Sequence, residues 1–232
     1  MTFLVVLLAT LVVVVALKGA IKRFPVAFYV LCVAADVLFV AGTLGFLPAG
    51  VQDVLFLLLR KCTLALALFV IVMYVGVFAR ESKVRGYLAP IRAELSIMAW
   101  LLSLGHMVVY LMGYAPRIFG GAAHAMDARV LGSLALALVL FALLLVLGVT
   151  SFQFVKRRMT AAGWKAVQRW VYVFFGLVYA HLMLLLAPAA LSGRSADVAL
   201  NVGIYTVVFG AYALGRIRRA AKDRNVLQAD SA

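Results

Sequence analysis

The sequence predicts an all-α integral membrane protein with seven spanning helices, and three observations predict it. These are an apolar content that no soluble core can hide, seven apolar runs of near-membrane length, and basic residues gathered on alternate connections. Of the 232 residues, 67% are apolar and 13% charged, against about 45–50% and about 25% in a soluble domain. A soluble globular enzyme is excluded, because one soluble core cannot bury that much apolar side chain. The net charge of +14 fits a lipid bilayer with anionic headgroups as the partner surface, not nucleic acid. Cys32 and Cys62 both lie in apolar runs and mark neither a disulfide framework nor a zinc site.

A spanning helix needs about 20 apolar residues for a hydrocarbon core of about 30 Å. The runs are Thr2–Leu17, Phe24–Leu47, Val54–Ala79, Leu95–Ala115, Val130–Phe154, Val167–Ala190 and Val198–Gly215. The first is short, about 24 Å as a helix. No Lys or Arg precedes it and no clean small-x-small cleavage pattern follows, so it reads as an uncleaved helix and not a signal peptide. The connections fix the orientation. Seventeen basic residues fall on one set: Lys18, Lys22 and Arg23; Arg80, Lys83, Arg85 and Arg92; Lys156 to Arg158, Lys165 and Arg169; and Arg216 to Arg224. The other set carries five: Arg60, Lys61, Arg117, Arg129 and Arg194. The positive-inside rule then puts the N-terminus outside and the C-terminus in the cytoplasm. The expected divisions are an additional N-terminal helix at 1–23, a helical domain at 24–215 and a basic cytoplasmic tail at 216–232.

Ionisable side chains inside spans are costly and so are functional candidates. His106 follows Arg92 by 14 residues, about 21 Å along the fourth span, and His181 follows Arg169 by 12, about 18 Å along the sixth. Both helices run outward from the basic side, so the two imidazoles reach matched depth. Two such histidines on separate helices can supply both axial ligands of a b-type haem in a bundle. Ala99, Ser103 and Gly113 add a strip of small residues near His106. The bland alternative is that small residues serve close helix packing and that each histidine only hydrogen-bonds a neighbour.

The other polar residues carry weaker expectations. Asp36 is expected to be protonated, or paired with Arg60 or Lys61, with a proton-path role as the sharper alternative. Arg60 and Lys61 lie on the same side as the histidines, where they suit haem propionates or snorkel to headgroups. Glu94 is expected to pair with Arg92. Trp164, Trp170 and Tyr87 suit an aromatic belt, and His124 a solvated outer loop. No catalytic nucleophile–base pair, phosphate loop or dinucleotide fingerprint is present, so hydride chemistry would come from another chain.

The string Thr150-Ser151, Lys156-Arg157-Arg158, Gly163-Trp164, Gln168-Arg169-Trp170, Tyr172 and His181 resembles the ferric-reductase-like transmembrane domain. The closer likeness is to the haem-binding membrane subunits of bacterial periplasmic methionine sulfoxide reductase systems. It covers roughly residues 55–190. The resemblance implies a six-helix ferric-reductase-like bundle plus one extra N-terminal transmembrane helix. It also implies transmembrane electron transfer through haem b, from a flavin or quinol donor to an extracytoplasmic reductase or other acceptor. His106 and His181 match the family's outer haem ligands. Gln168 stands where the family has an inner histidine, and Arg92 holds the opposing inner position. Gln and Arg are poor axial ligands, so one haem is expected and not two. Either FMN or a quinone then docks near Arg92, Gln168 and Trp164, since guanidinium and carboxamide groups can bond a phosphate or a quinone carbonyl, or electrons enter from the outer side. Two other classes stay open: a haem-free transporter or scaffold that retains the fold, and a quinol-linked membrane anchor of a multi-subunit oxidoreductase.

Overall fold

Long apolar runs with few helix breakers become long helices, because in lipid every backbone N–H and C=O has to be satisfied within the segment. The computed structural model describes residues 2–79, 81–120, 126–193 and 195–229. Its α-helices are α1 (Thr2–Arg23), α2 (Pro25–Thr43), α3 (Ala49–Leu55), α4 (Thr63–Val75), α5 (Lys83–Leu88) and α6 (Arg92–Phe119). They continue as α7 (Ala128–Val149), α8 (Gln153–Lys156), α9 (Ala161–Gln168), α10 (Trp170–Leu191) and α11 (Ala196–Ala229). Among the described residues, seven helical stretches are long and apolar enough to cross a membrane. The protein is an all-α integral membrane protein.

The first span is longer than its apolar run. α1 continues through Lys18, Lys22 and Arg23 for 22 residues, about 33 Å, because long basic side chains can remain helical while their heads reach water. Tyr87 takes up one of them, with Lys18 Nζ 3.8 Å from its ring centroid. Pro25 opens α2 at its first position, where a missing N–H costs nothing. α2 closes with Gly45 at φ +87° and with the Gln52 amide donating to the Gly42 carbonyl. Asp127 caps α7 by accepting from the Arg129 N–H at 2.7 Å, and the Arg129 side chain pairs with the same carboxylate and holds it below the usual range. α11 runs unbroken from the seventh apolar run through the basic residues Arg216–Arg224.

α4 is the middle of the bundle, with ten of its thirteen residues buried. It packs against α1 and α6, and α2 covers α6. A second group joins α10 to α7 and α11. α1 therefore belongs to the wall of the bundle: Phe3, Val14 and Ile21 are buried, and the Phe3 ring meets that of Tyr205 on α11 at 4.6 Å. Large side chains such as Val12, Val26 and Val207 face outward, where lipid chains supply the contacts that a soluble core would.

The expected third span, Val54–Ala79, is not one continuous helix. A π-helical turn at Phe56–Arg60 follows α3, and Cys62 then takes a left-handed conformation (φ 55°, ψ 22°) before α4 begins. The carbonyls this break frees are taken up locally. The Thr63 hydroxyl donates to Leu57 O at 2.7 Å and reaches Leu58 O at 3.4 Å. Left-handed backbone costs an L-residue about 1–2 kcal/mol relative to glycine. The usual helix ranking of alanine over glycine should therefore invert here. Cys62→Gly is expected to be more stable than Cys62→Ala by about 1 kcal/mol, read as the higher thermal midpoint in detergent. Equal midpoints, or a lower one for glycine, would contradict the strained geometry.

Candidate functional site

The break in the third span turns a backbone carbonyl toward the fourth. Leu66 N–H bonds Cys62 O as the first bond of α4, so Arg60 O lies ahead of that helix. His106, midway along α6, places its Nδ1 2.7 Å from this oxygen. A carbonyl only accepts, so Nδ1 carries the proton and donates, and the lone pair is on Nε2. His181 on α10 has its Nδ1 3.4 Å from Ser133 Oγ on α7, a longer and weaker contact.

Both histidines line a single cavity of about 370 Å³. Arg60 and Lys61 lie at the same cavity, and its walls are otherwise mostly apolar, with Phe69, Leu140 and Phe174 among them. Thr2 and Phe3 of α1 also contribute. Asn201 on α11 lines it too, and its buried Oδ1 has no hydrogen-bond partner. An unpaired amide oxygen in an apolar interior is costly.

His106, His181 and Arg60 are thus brought together as the sequence spacing suggests. The small-residue strip is not. Ala99 is fully buried in the packing of α6 against α2 and α4, Gly113 lies away from the cavity, and Ser103 alone of the three lines it. Ser103 Oγ donates to Ala99 O at 2.8 Å and receives a long contact from the Cys62 thiol at 3.9 Å.

Asp36 pairs with neither Arg60 nor Lys61. Its Oδ2 accepts from the backbone N–H of Gly105 at 3.2 Å, entering where glycine leaves no side chain to keep it out. Glu94 forms no ion pair with Arg92, because residues two apart on a helix do not share a face; its buried Oε2 has no partner. His124, Arg80 and Arg194 lie outside the described residues.

The expected inner docking patch is not assembled as one group. Gln168 donates from Nε2 to Thr150 Oγ1 at 3.0 Å, and Trp164 Nε1–H donates to Thr150 O at 3.0 Å. Both side chains secure α9 against the end of α7. Arg92 instead lines a second cavity, of about 160 Å³, with Arg85, Tyr172, Tyr212, Arg216 and Arg219. Trp170 and Tyr87 face outward, as belt residues do.

Sequence reasoning missed Ser133, Asn201 and the Arg60 carbonyl. Asn201 carried a usable signal, an amide inside an apolar span. Ser133 did not, since small hydroxyl residues are common in such helices. The carbonyl belongs to no side chain and leaves no letter in the sequence.

An uncharacterized protein of Treponema pallidum (strain Nichols) is 36% identical to the chain over 220 residues, which cover 94% of this chain. The chain spans about 60% of that relative's length. No family model matches the sequence, and no solved structure matches it. The likeness to the relative therefore covers nearly the whole bundle, both histidine-bearing helices included, while the relative also carries further chain.

Chemically, the cavity offers two imidazoles from separate helices, two cations and one orphaned amide oxygen within mostly apolar walls. Two imidazoles are the number required by a metal that brings four ring ligands of its own. A backbone carbonyl behind the distal nitrogen is the common outer support of a metal-bound histidine. The donor types present are those a haem takes.

Proposed function

We propose that this chain is a b-type cytochrome membrane subunit of the ferric-reductase-like kind, binding one haem b between His106 and His181. It passes electrons from a flavin or quinol donor to an extracytoplasmic reductase or other acceptor. The observation that carries this reading is the shared cavity, in which the bond from His106 Nδ1 to Arg60 O leaves Nε2 as the free lone pair. Bound there, haem supplies reversible one-electron transfer. The chain's own groups do the rest. His106 is held in one tautomer and one orientation by a backbone oxygen. Arg60 and Lys61 offer positive charge for carboxylate groups at the cavity. The apolar walls limit access of water, which lowers the local dielectric and makes those charges count for more.

In the same reading the membrane is a bacterial inner membrane. The N-terminus is outside, the C-terminus is cytoplasmic, and the histidine cavity lies toward the outer leaflet. Seventeen basic residues on alternate connections support that orientation.

The test is a reduced-minus-oxidised absorbance spectrum of the purified, folded chain expressed with haem precursor. A low-spin b-type difference spectrum is expected. A monodisperse, thermally cooperative protein with no such signal after haem reconstitution would overturn the proposal.

A further inference from the structure

The second cavity is built quite differently from the first. Its walls come from α4, α5, α6, α10 and α11, and four of its lining side chains are arginines: Arg85, Arg92, Arg216 and Arg219. One carboxylate, Asp223, faces them, and it is paired with Arg219 at 3.0 Å. Arg216 is held in place by neutral groups, donating to Gly76 O at 2.6 Å and to the Tyr172 hydroxyl. Arg85 donates to Phe78 O at 3.2 Å. Three guanidinium charges thus converge with no carboxylate in contact among the described residues. The Tyr212 hydroxyl lines the same cavity, buried and without a partner, in a side chain only 6% exposed.

Simple snorkelling does not account for this arrangement. Basic side chains that reach for headgroups spread outward from a bundle, whereas these point into one concavity from three separate helices. Like charges held together cost free energy unless an anion joins them. The volume of about 160 Å³ is well above the roughly 10–15 Å³ one water needs. Arginine forks match the oxygens of a phosphate, and a phenol hydroxyl adds one more donor.

We propose that this cavity is a binding site for a doubly charged phosphate group. Arg85, Arg92 and Arg216 supply the charge-assisted donors and Tyr212 supplies a neutral one. The group is either the phosphomonoester headgroup of phosphatidic acid or a soluble phosphate, and both present the same terminal oxygens. The site is independent of the outer cavity and stands whether or not haem binds there.

The experiment uses the full chain in two arms. In one, it is reconstituted in phosphatidylcholine nanodiscs with increasing phosphatidic acid. In the other, it is titrated in detergent with inorganic phosphate at constant ionic strength. The thermal midpoint is read in both. A saturable rise is expected in at least one arm. Arg92→Gln should weaken half-saturation about tenfold, and Arg218→Gln, exposed and outside the cavity, should leave it unchanged. Tyr212→Phe keeps the ring packing against Phe175 and should weaken it several-fold, which serves if Arg92→Gln does not fold. A rise with phosphatidic acid alone assigns a lipid headgroup; a rise with inorganic phosphate assigns a soluble ligand. No saturable rise in either arm overturns the site, as does an equal loss on Arg218→Gln.

Discussion

On the proposed haem reading, His106→Ala is expected to abolish the low-spin haem spectrum, and so is His181→Ala, because each removes one of the two imidazoles that would hold the haem. The two histidines should respond differently to loss of their supports. Ser133→Ala takes away the only side-chain partner of His181 among the described residues. Outer-shell partners of this kind typically affect metal affinity by about 10–100-fold, and the 3.4 Å separation puts the expected loss near the lower end. His106 is supported by a main-chain oxygen, so Arg60→Gln should preserve its ligation while removing a cation from the cavity. The expected order of haem retention is wild type, then Arg60→Gln and Ser133→Ala, then neither histidine variant. Haem content by pyridine haemochrome, alongside the absorbance spectrum, reads this directly. Full retention of a bis-histidine spectrum in either histidine variant would refute the assigned ligands.

Gly105→Ala is expected to be the most destabilising single-methyl change in the bundle's first half. A Cβ at Gly105 would lie 2.3 Å from Asp36 Oδ1 and 2.5 Å from its Cγ. Neither distance is tolerable without a shift of Asp36 or of the two helices. The variant would lose the Asp36 bond to the Gly105 N–H and force α2 from α6. Together these cost about 2–4 kcal/mol. Because Gly105 precedes His106, the shift would also disturb the cavity. Shortening the partner should relieve it: Asp36→Ala in the Gly105→Ala background is expected to recover at least about 1 kcal/mol. Thermal midpoints of the two single variants and the double variant decide the matter. Strict additivity would mean that the close approach of Asp36 to Gly105 is not what position 105 exists for.

The spans were legible because lipid imposes one rule on the backbone and one on the charges. Val130–Phe154 and Val167–Ala190 announce helices by length alone, and α7 and α10 occupy most of those ranges. Rise per residue was the ground for expecting His106 and His181 near one another, and both line one cavity. The broken third span was not legible. Phe56-Leu-Leu-Leu-Arg60-Lys-Cys62 contains neither glycine nor proline, and the break is held by Thr63 and by a histidine 46 residues away. Gln168 is a related case. The family resemblance put it in an inner docking patch with Arg92 and Trp164, whereas its hydrogen bond to Thr150 depends on how α9 lies on α7. That is a tertiary fact, and spacing along one chain cannot express it. Glu94 was a plainer error, since a helix separates residues two apart.

The bond from His106 to a main-chain oxygen has an evolutionary corollary. A support made by a side chain can be lost in one substitution; this one persists under any residue at position 60 for as long as the turn keeps its shape. Selection on the support therefore falls on Cys62 and Thr63, which make the turn, and leaves position 60 free to change its charge. Relatives could tune the electrostatics of the cavity there without loosening His106, so the residue that contributes the supporting atom is the one least constrained by providing it.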